Sequence, residues 1–281
     1  MVDVSATYLA SRRIFVTGGT ALAGVASAVG LLPMPALAQD ETGGHLQRVL
    51  DRGHVIVGTG TTTPPWHFED EDGQLTGMDI EMGHILANAL FGDPEKVEFE
   101  VQSADTRIPN LLSDKVDIVI QFMSITAERA QQVNFTIPYY REAITIVLPK
   151  DSPYNTLEDV QGHGITLAAL QNPHIEGVAH EGIPDAKIDQ YDSVANTFLA
   201  LDSGRADAVL ADYSTAQWMT AQNPDKYKYP PETWASHNYS TAIMPGDERW
   251  LDFVNQVWLD AMTGFQFAAF HDAFLNTSAS I

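Results

Sequence analysis

An arginine lies where a predicted strand gives way to a short predicted helix, and a bound anion is a natural partner for it there. Residues 116–120, VDIVI, are mostly β-branched and predict a buried strand. Thr126 predicts the N-cap of a helix whose first turn contains Arg129. Because the N-terminal end of the helix dipole is positive, a cation at this position indicates an anion beside it. Taken by itself, however, the segment favours a surface arginine paired with Glu128 or with solvent.

The composition limits what the rest of the chain can be. Its 281 residues allow one large domain or two smaller ones. The absence of cysteine excludes disulfides, thiolate metal sites, a cysteine nucleophile and a lipid-modified N-terminal cysteine. The formal net charge of −22 argues against nucleic acid and anionic membrane surfaces as partners. The sequence contains neither a paired-histidine metal motif nor a nucleotide-binding loop, so we expect no metal and no cofactor.

Residues 1–38 predict a twin-arginine signal peptide. Arg12 and Arg13 precede an apolar stretch over residues 16–32, and residues 36–38 form an A-x-A cleavage box. We therefore expect export of the folded chain to the periplasm and cleavage near Ala38. The alternative is an uncleaved membrane anchor, which the many glycines and alanines and the cleavage box make the weaker prediction.

Strand and helix patterns alternate along the remaining chain, which predicts sheets with helical crossovers. The predicted helices cover residues 43–52, 77–90, 106–112, 194–202 and 250–274. The predicted strands cover residues 54–57, 97–101, 116–120, 143–148, 165–170, 188–193 and 239–244. In such sheets ligands bind beyond the carboxyl ends of the strands. The loops over residues 61–66 and 121–129 lie at such ends.

Several segments together resemble the family 3 solute-binding proteins, which are periplasmic receptors of polar amino acid ABC transporters. Residues 124–130, SITAERA, and residues 135–140, FTIPYY, resemble one family signature. Residues 157–162, LEDVQG, resemble the entry to the second lobe, and residues 204–212, GRADAVLAD, resemble a later motif that ends in an acid. The loop over residues 58–66, GTGTTTPPW, resembles the first ligand loop. The resemblance extends over nearly all of the chain after the signal segment, and the motifs occur in family order.

This resemblance implies an α/β fold of the type II periplasmic binding proteins, in which each of two lobes is a mixed sheet flanked by helices. Lobe 1 is expected to comprise residues 39–142 and 241–281. Lobe 2 is expected to span residues 143–240, including the hinge crossings, and two crossing strands would join the lobes. The ligand would lie in the cleft between them, and the closed form would dock on an inner-membrane permease. We expect a monomer.

The resemblance also implies a ligand site with charges from both lobes. In this family the arginine at the position of Arg129 grips the ligand α-carboxylate, and the acid at the position of Asp212 binds the α-ammonium group. The charges agree, because a guanidinium forms paired bonds to a carboxylate and a carboxylate accepts bonds from an ammonium group. The alternative for Asp212 is a cap of the following helix. For Trp66, packing in the core and contact with the ligand are equally good explanations. The other residues expected at the ligand are Thr63, Phe122, Ser124, Thr126, Tyr139 and His174.

The chain departs from the family pattern after the strand at residues 165–170. Relatives carry Gly-Ser/Thr-Thr there, whereas this chain has Asn172, Pro173 and His174. We expect Asn172 to be a helix N-cap and Pro173 the first helical residue. His174 would either supply a side-chain donor to the ligand or be exposed.

Further departures concern the ligand side chain. Phe122 stands where many relatives have a small hydroxyl residue, and Gly60 stands where relatives with cationic ligands often have an acid. Together with Trp66 and Tyr139, Phe122 would suit an apolar or ring-bearing ligand. A cyclic amino acid or a zwitterionic compatible solute is an example.

The expected function is therefore capture of an amino acid or a similar small zwitterion and its delivery to an ABC permease. The alternative is an enzyme, since a few relatives with this fold are periplasmic cyclohexadienyl dehydratases. Such chemistry needs a general acid near the leaving hydroxyl group. Glu142, His174 and His67 are candidates for that acid, but no motif supports any of them.

Overall fold

The computed structural model describes residues 44–172 and 174–264. The predicted signal peptide, Pro173 and the predicted end of the last helix lie outside these ranges. Within them, no helix is both long enough and apolar enough to cross a membrane.

The described residues form nine helices, most of which cover the faces of a sheet. They are α1 (His45–Arg52), α2 (Met78–Phe91), α3 (Arg107–Leu112), α4 (Ala127–Ala130), α5 (Leu157–Val160), α6 (Ile175–Gly182), α7 (Val194–Asp202), α8 (Tyr213–Gln222) and α9 (Glu248–Thr263). Side-chain caps begin several of them, as the sequence predicts. Thr126 accepts a hydrogen bond from the Arg129 backbone N–H in α4. Ser193 accepts one from the Asn196 N–H in α7.

The strands of the same ranges are mostly short. They are β1 (Val55–Thr59), β2 (Thr62–Thr63), β3 (His67–Glu69), β4 (Leu75–Thr76), β5 (Val97–Val101), β6 (Ile118–Ser124), β7 (Asn134–Phe135), β8 (Tyr140–Pro149), β9 (Thr166–Leu170), β10 (Lys187–Tyr191), β11 (Ala208–Asp212), β12 (Tyr227–Lys228) and β13 (Trp234–Ile243). Strands β2, β3 and β4 form a small separate sheet.

A single ten-stranded sheet runs through both lobes, with a central order of β10-β9-β11-β8-β13-β6-β1-β5. Three parallel strands lie on each side, and the long strands β8 and β13 pair antiparallel between them. Tyr140 faces Tyr239 across this central pair, and Glu142 faces His237. The two predicted crossing strands are therefore present. They also merge the sheets of the two lobes, which the sequence predicts as separate, because they hydrogen-bond to each other as well as to their own lobes.

Separate hydrophobic cores lie on the two sides of the crossing strands. The core of lobe 1 contains the buried side chains of Leu86, Ile118 and Trp250. Lobe 2 has one buried cluster on each face of its half of the sheet, with Leu210 in one and Phe198 in the other. The inner parallel strands of each lobe are covered on both faces, so β1, β6, β9 and β11 are mainly apolar runs. The edge strands β5 and β10 instead include charged and polar residues.

Three predicted boundaries are wrong because of the central pairing. Strand β8 begins at Tyr140 and not at residue 143, since residues 140–142 already pair with β13. Strand β6 continues four residues beyond Ile120, since Met123 and Ser124 pair with β13. The return strand β13 begins at Trp234 and not at residue 239, since its first part pairs with β8 before its second part joins lobe 1.

The predicted cap of α6 is also wrong. The helix begins at Ile175, and His174 occupies the N-cap position. The Asn172 side chain instead accepts a hydrogen bond from the His174 backbone N–H at 3.0 Å, which forms a local turn before the helix.

A buried carboxylate fastens the first helix of lobe 1 to its sheet. Asp117 accepts hydrogen bonds from the Ile56 backbone N–H at 2.7 Å and from the Arg52 guanidinium, and the His45 ring lies 2.8 Å away. Its pKa is lowered by these hydrogen bonds and charges despite the opposing effect of burial. Asp117 is therefore ionised and satisfied on all sides.

Replacing Asp117 by alanine should lower the free energy of unfolding by about 3 kcal/mol, because the mutation leaves buried partners without a counter-charge. Urea denaturation measures this loss. The exposed Asp51, which accepts one bond from Gln47 in α1, provides a matched control. Asp51→Ala should change stability by less than about 0.5 kcal/mol. Equal losses in the two variants would contradict the role assigned to Asp117.

Candidate functional site

A cavity of about 400 Å³ opens between the lobes. Its volume lies in the range of about 300–1,000 Å³ that is typical of small-molecule sites. The strands β6, β9 and β11 all end at its wall, with Ser124, Leu170 and Asp212 as their last residues. This is the sheet edge at which α/β proteins bind ligands. The predicted site residues that line it are Thr63, Phe122, Ser124, Thr126, Arg129, His174 and Asp212.

Arg129 lies in lobe 1 at the cavity wall and is fixed by its own short helix. Its Nη1 donates to the Ser124 carbonyl at 2.9 Å. Burial lowers the pKa of its guanidinium, and no ion pair among the described residues includes it. The alternative of a surface pair with Glu128 is not observed, because the Glu128 carboxylate lies 3.3 Å from His174 Nε2. The guanidinium is therefore available to an anion in the cavity.

Asp212 faces the same cavity from lobe 2. It occupies the N-cap position of α8, but its side chain makes no capping bond. Its Oδ2 instead accepts a hydrogen bond from the Tyr239 hydroxyl at 2.7 Å. Burial raises the pKa of Asp212, while the Tyr239 bond and the nearby His237 oppose that shift. The alternative of a helix cap is thus not observed, and a cation at Asp212 would compensate its burial.

Phe122 forms part of the lobe 1 wall in a strained backbone conformation with φ of +35°. Asp79 holds it there, because Asp79 Oδ2 accepts the Phe122 backbone N–H at 3.0 Å and lies 2.8 Å from His67 Nδ1. Asp79 is in the first turn of α2, as predicted, but its role as a clamp has no signal in the sequence. Gly60 lies nearby, and a side chain there would collide with the His67 ring at 2.7 Å.

Trp66 and Tyr139 do not line the cavity. Both are buried in the core of lobe 1. The Tyr139 hydroxyl donates to Asp79 Oδ1 at 3.2 Å. The Trp66 ring packs edge-on against Tyr140 and Tyr239 with centroid distances of 4.9 and 5.1 Å. Of the two interpretations of Trp66, core packing is the one that the structure supports.

A buried hydrogen-bonded chain that the sequence did not indicate links the lobes beside Asp212. Trp66 Nε1 of lobe 1 donates to Ser214 Oγ of lobe 2 at 2.9 Å. Ser214 Oγ donates in turn to Glu142 Oε2 on the crossing strand at 2.6 Å. We call Trp66, Ser214 and Glu142 the closure triad. These polar groups are buried, and the bond from Trp66 to Ser214 is the one that depends on the lobes being together.

Two more contacts join the lobes near this triad. Thr215 Oγ1 donates to the Pro64 carbonyl at 3.2 Å. At the exposed rim, His174 of lobe 2 lies beside Glu128 of lobe 1. The ligand-facing loops of lobe 1 are thus held against the ends of lobe 2 helices, which gives the cavity walls from both lobes.

Glu142, the acid of the closure triad, has a strongly raised pKa. Burial and the nearby Asp212 carboxyl raise its pKa from 4.5 to about 8. Between these values the folded protein keeps a proton that the unfolded chain releases. The contribution of Glu142 to stability therefore falls as pH rises through this window.

We expect Glu142→Gln to flatten the pH dependence of stability, because glutamine keeps a hydrogen-bonding side chain and cannot ionise. Urea denaturation at about pH 5.5 and pH 7.5 measures the free energy of unfolding at each pH. Its decrease with rising pH should be steeper in the wild type than in Glu142→Gln, by up to about 1 kcal/mol per pH unit. The exposed Glu176→Gln variant is the control and should keep the wild-type slope. A Glu142→Gln slope identical to that of the wild type would contradict the assignment of the proton to Glu142.

Comparison with known proteins agrees with this architecture. The glutamine-binding protein of Geobacillus stearothermophilus is 28% identical over 195 residues, which cover 69% of this chain and 74% of that protein. The cyclohexadienyl dehydratase of Pseudomonas aeruginosa is 26% identical over 235 residues, covering 82% and 84% of the two chains. The crystal structure of an ancestral amino acid-binding protein, a precursor of cyclohexadienyl dehydratase, superposes with a TM-score of 0.75 at 30% identity. It covers 83% of this chain and all of that one.

Residues 55–277 match the family of bacterial extracellular solute-binding proteins, family 3. The match spans most of the chain and includes all of the motifs that carry the resemblance. The chain therefore belongs to the family 3 extracellular solute-binding proteins, as its sequence predicts.

Proposed function

We propose that this protein is the substrate-binding component of an ABC importer and that it captures an amino acid or a related small zwitterion between its lobes. One observation carries the proposal. Arg129 and Asp212 bring opposite charges from opposite lobes to the same cavity, and neither forms an ion pair with another described residue. An α-amino acid carries the complementary pair of charges.

In this proposal Arg129 binds the ligand carboxylate through two parallel charge-assisted bonds. Asp212, oriented by the Tyr239 hydroxyl, accepts bonds from the ammonium group. Thr63, Ser124, Thr126 and His174 surround these charges and offer further polar contacts. Each lobe alone holds half of the ligand. Closure lets both halves act on one molecule, so the ligand favours the closed form through contacts that the open form lacks.

The proposal extends to the route of the ligand. The relatives include binding proteins for glutamine, arginine and cystine, which supports an amino acid as cargo. We infer that residues 1–38 direct export by the twin-arginine route and are removed near Ala38. The mature monomer would work in the periplasm and deliver its ligand to a permease in the inner membrane.

Catalysis is the competing function, because one relative is a cyclohexadienyl dehydratase. The three candidate acids do not favour it. Glu142 and His67 are buried outside the cavity lining, and their polar atoms contact Ser214 and Asp79. His174 lines the cavity but lies at the exposed rim beside Glu128. We therefore propose a binding protein without turnover, and incubation with prephenate or arogenate should yield no product.

Thermal shift and calorimetric titration with amino acids test the binding function. A ligand that binds only the native state raises the melting temperature with its concentration. Arg129→Ala should weaken binding by more than roughly tenfold, because a charge-assisted pair is lost. Arg205, which packs on Tyr191 and does not line the cavity, gives a matched control, and Arg205→Ala should leave affinity unchanged.

The outcomes separate the roles of the two charges. Unchanged affinity in the Arg129→Ala variant would remove Arg129 from the ligand site. Melting shifts that occur only with carboxylates lacking an amine would keep Arg129 and remove Asp212 from the ammonium role. If no ligand raises the melting temperature and the protein converts prephenate or arogenate, the enzyme function would replace the proposed binding function.

A further inference from the structure

The interlobe cavity continues into lobe 2 beneath helix α6, where its lining becomes apolar. We call this part the side chamber. Its walls come from β8, α6, β11 and β13, and they are formed by the side chains of Ile144, Ile175, Val178, Leu210 and Ala235. Ile175 and Val178 are three residues apart on α6 and so share one face of the helix.

Strand register places the side chamber directly beside Asp212. On β11, Asp212 and Leu210 point to the same face of the sheet because they are two residues apart. Ile144 on β8 is the cross-strand neighbour of Asp212, and Trp234 on β13 is the neighbour of Ile144. A group attached to the carbon that bears an ammonium at Asp212 therefore meets Ile144 and Leu210 first.

An irregularity in β13 opens the chamber. The register with β8 shifts between Trp234 and His237, and Ala235 adopts φ of +49°. Such a conformation is costly for a residue with a side chain, and it recurs at binding sites. Trp234 Nε1 donates to the Val178 carbonyl at 2.7 Å, which fastens α6 across the gap. The shifted segment and the fixed helix thus hold the chamber open.

The chamber offers little to a charged or strongly polar group. Glu181 is the charged residue that α6 contributes to the cavity lining, and it is exposed. An ion pair with an exposed carboxylate contributes little. The Thr197 hydroxyl, on the α7 side of the cavity, already donates to the Val194 carbonyl at 2.7 Å. Ser236 and His237 also line the cavity next to Ala235, but Ser236 is exposed and His237 Nδ1 already lies 2.9 Å from the Ala235 carbonyl. A buried amide or ammonium group in the chamber would therefore lose water and find few free partners.

From this geometry we infer that the side chamber takes the side chain of the ligand, and that the ligand is an α-amino acid with a bulky apolar side chain, branched aliphatic or aromatic. The inference rests on the proposed function, because it takes the main-chain charges to lie at Arg129 and Asp212. It assigns selectivity to lobe 2, and above all to Val178 and the shifted segment at Ala235.

Calorimetric titration of the purified protein with leucine, phenylalanine, alanine, glutamine and lysine tests the ligand class. Each buried methylene group tightens binding about fourfold. Leucine or phenylalanine should therefore bind at least about tenfold more tightly than alanine, and more tightly than glutamine or lysine. Glutamine or lysine as the tightest ligand would overturn the inference and leave the receptor function intact. Failure of every α-amino acid to bind would overturn the proposed function as well.

A lysine preference that Glu181→Gln abolishes would assign the cavity to a cationic side chain and overturn the apolar class. Retention of the apolar preference in Glu181→Gln supports the inference, because the exposed carboxylate then plays no part in selectivity.

Val178→Phe tests the chamber itself, because the larger ring would fill it. Affinity for leucine should fall at least about tenfold, while affinity for alanine should stay within about twofold, since the alanine methyl group meets Ile144 and Leu210 but does not extend to Val178. Val101→Phe, on the exposed side of β5, is the matched control and should bind both ligands as the wild type does. Equal losses for both ligands, or no loss for leucine, would overturn the assignment.

If Val178→Phe fails to fold, Val178→Ala tests the same role by enlarging the chamber instead of filling it. The enlarged chamber should raise the ratio of phenylalanine to leucine affinity. An unchanged ratio in a folded Val178→Ala variant would overturn the role of Val178.

Discussion

The pairing of the two crossing strands is the constraint on which the rest of the structure depends. Strands β8 and β13 run antiparallel and face each other from Tyr140 to Glu142 and from His237 to Tyr239. Each then joins its own set of parallel strands. Because the strands within a set share one direction, their carboxyl ends gather at one edge, and the crossing pair turns these edges toward a common cleft. Ser124 and Asp212 reach the same cavity for this reason, although 88 positions separate them in the sequence.

The same constraint produces an electrostatic problem that a zwitterion would solve. Burial lowers the pKa of Arg129 and raises that of Asp212, so each charge is held at a cost in its own lobe. Glu142 adds a second buried acid near Asp212, and its pKa is raised first by its burial and then by repulsion from Asp212. A ligand ammonium beside Asp212 would offset both effects, and a ligand carboxylate would do the same for Arg129. Closure is then favoured by charge compensation that neither lobe can provide alone.

The sequence predicts those features that depend on local chemistry. The Thr126 cap, the helix over residues 194–202 and the strand over residues 97–101 follow from capping and periodicity, and all are confirmed. The positions of Arg129 and Asp212 follow from motifs at strand ends. What the sequence misses depends on contacts between distant segments. The bond from Ser214 to Glu142 joins residues 72 positions apart, and Trp66 resembles a ligand contact until its packing against Tyr239 is known.

Selectivity has the weakest sequence signal, because it arises where the chain is least regular. The register shift in β13 and the positive φ at Ala235 leave no motif, since alanine is not a residue that marks such a conformation. In the sequence Val178 resembles an ordinary core residue. Its position in the chamber wall becomes clear only from the structure, in which Trp234 Nε1 donates a hydrogen bond to the Val178 carbonyl of α6. The proposed anchors for the ligand main chain thus lie at strand ends, and the chamber beside them depends on a local irregularity. Small changes in that irregular segment can alter the preferred side chain without disturbing Arg129, Asp212 or the crossing strands.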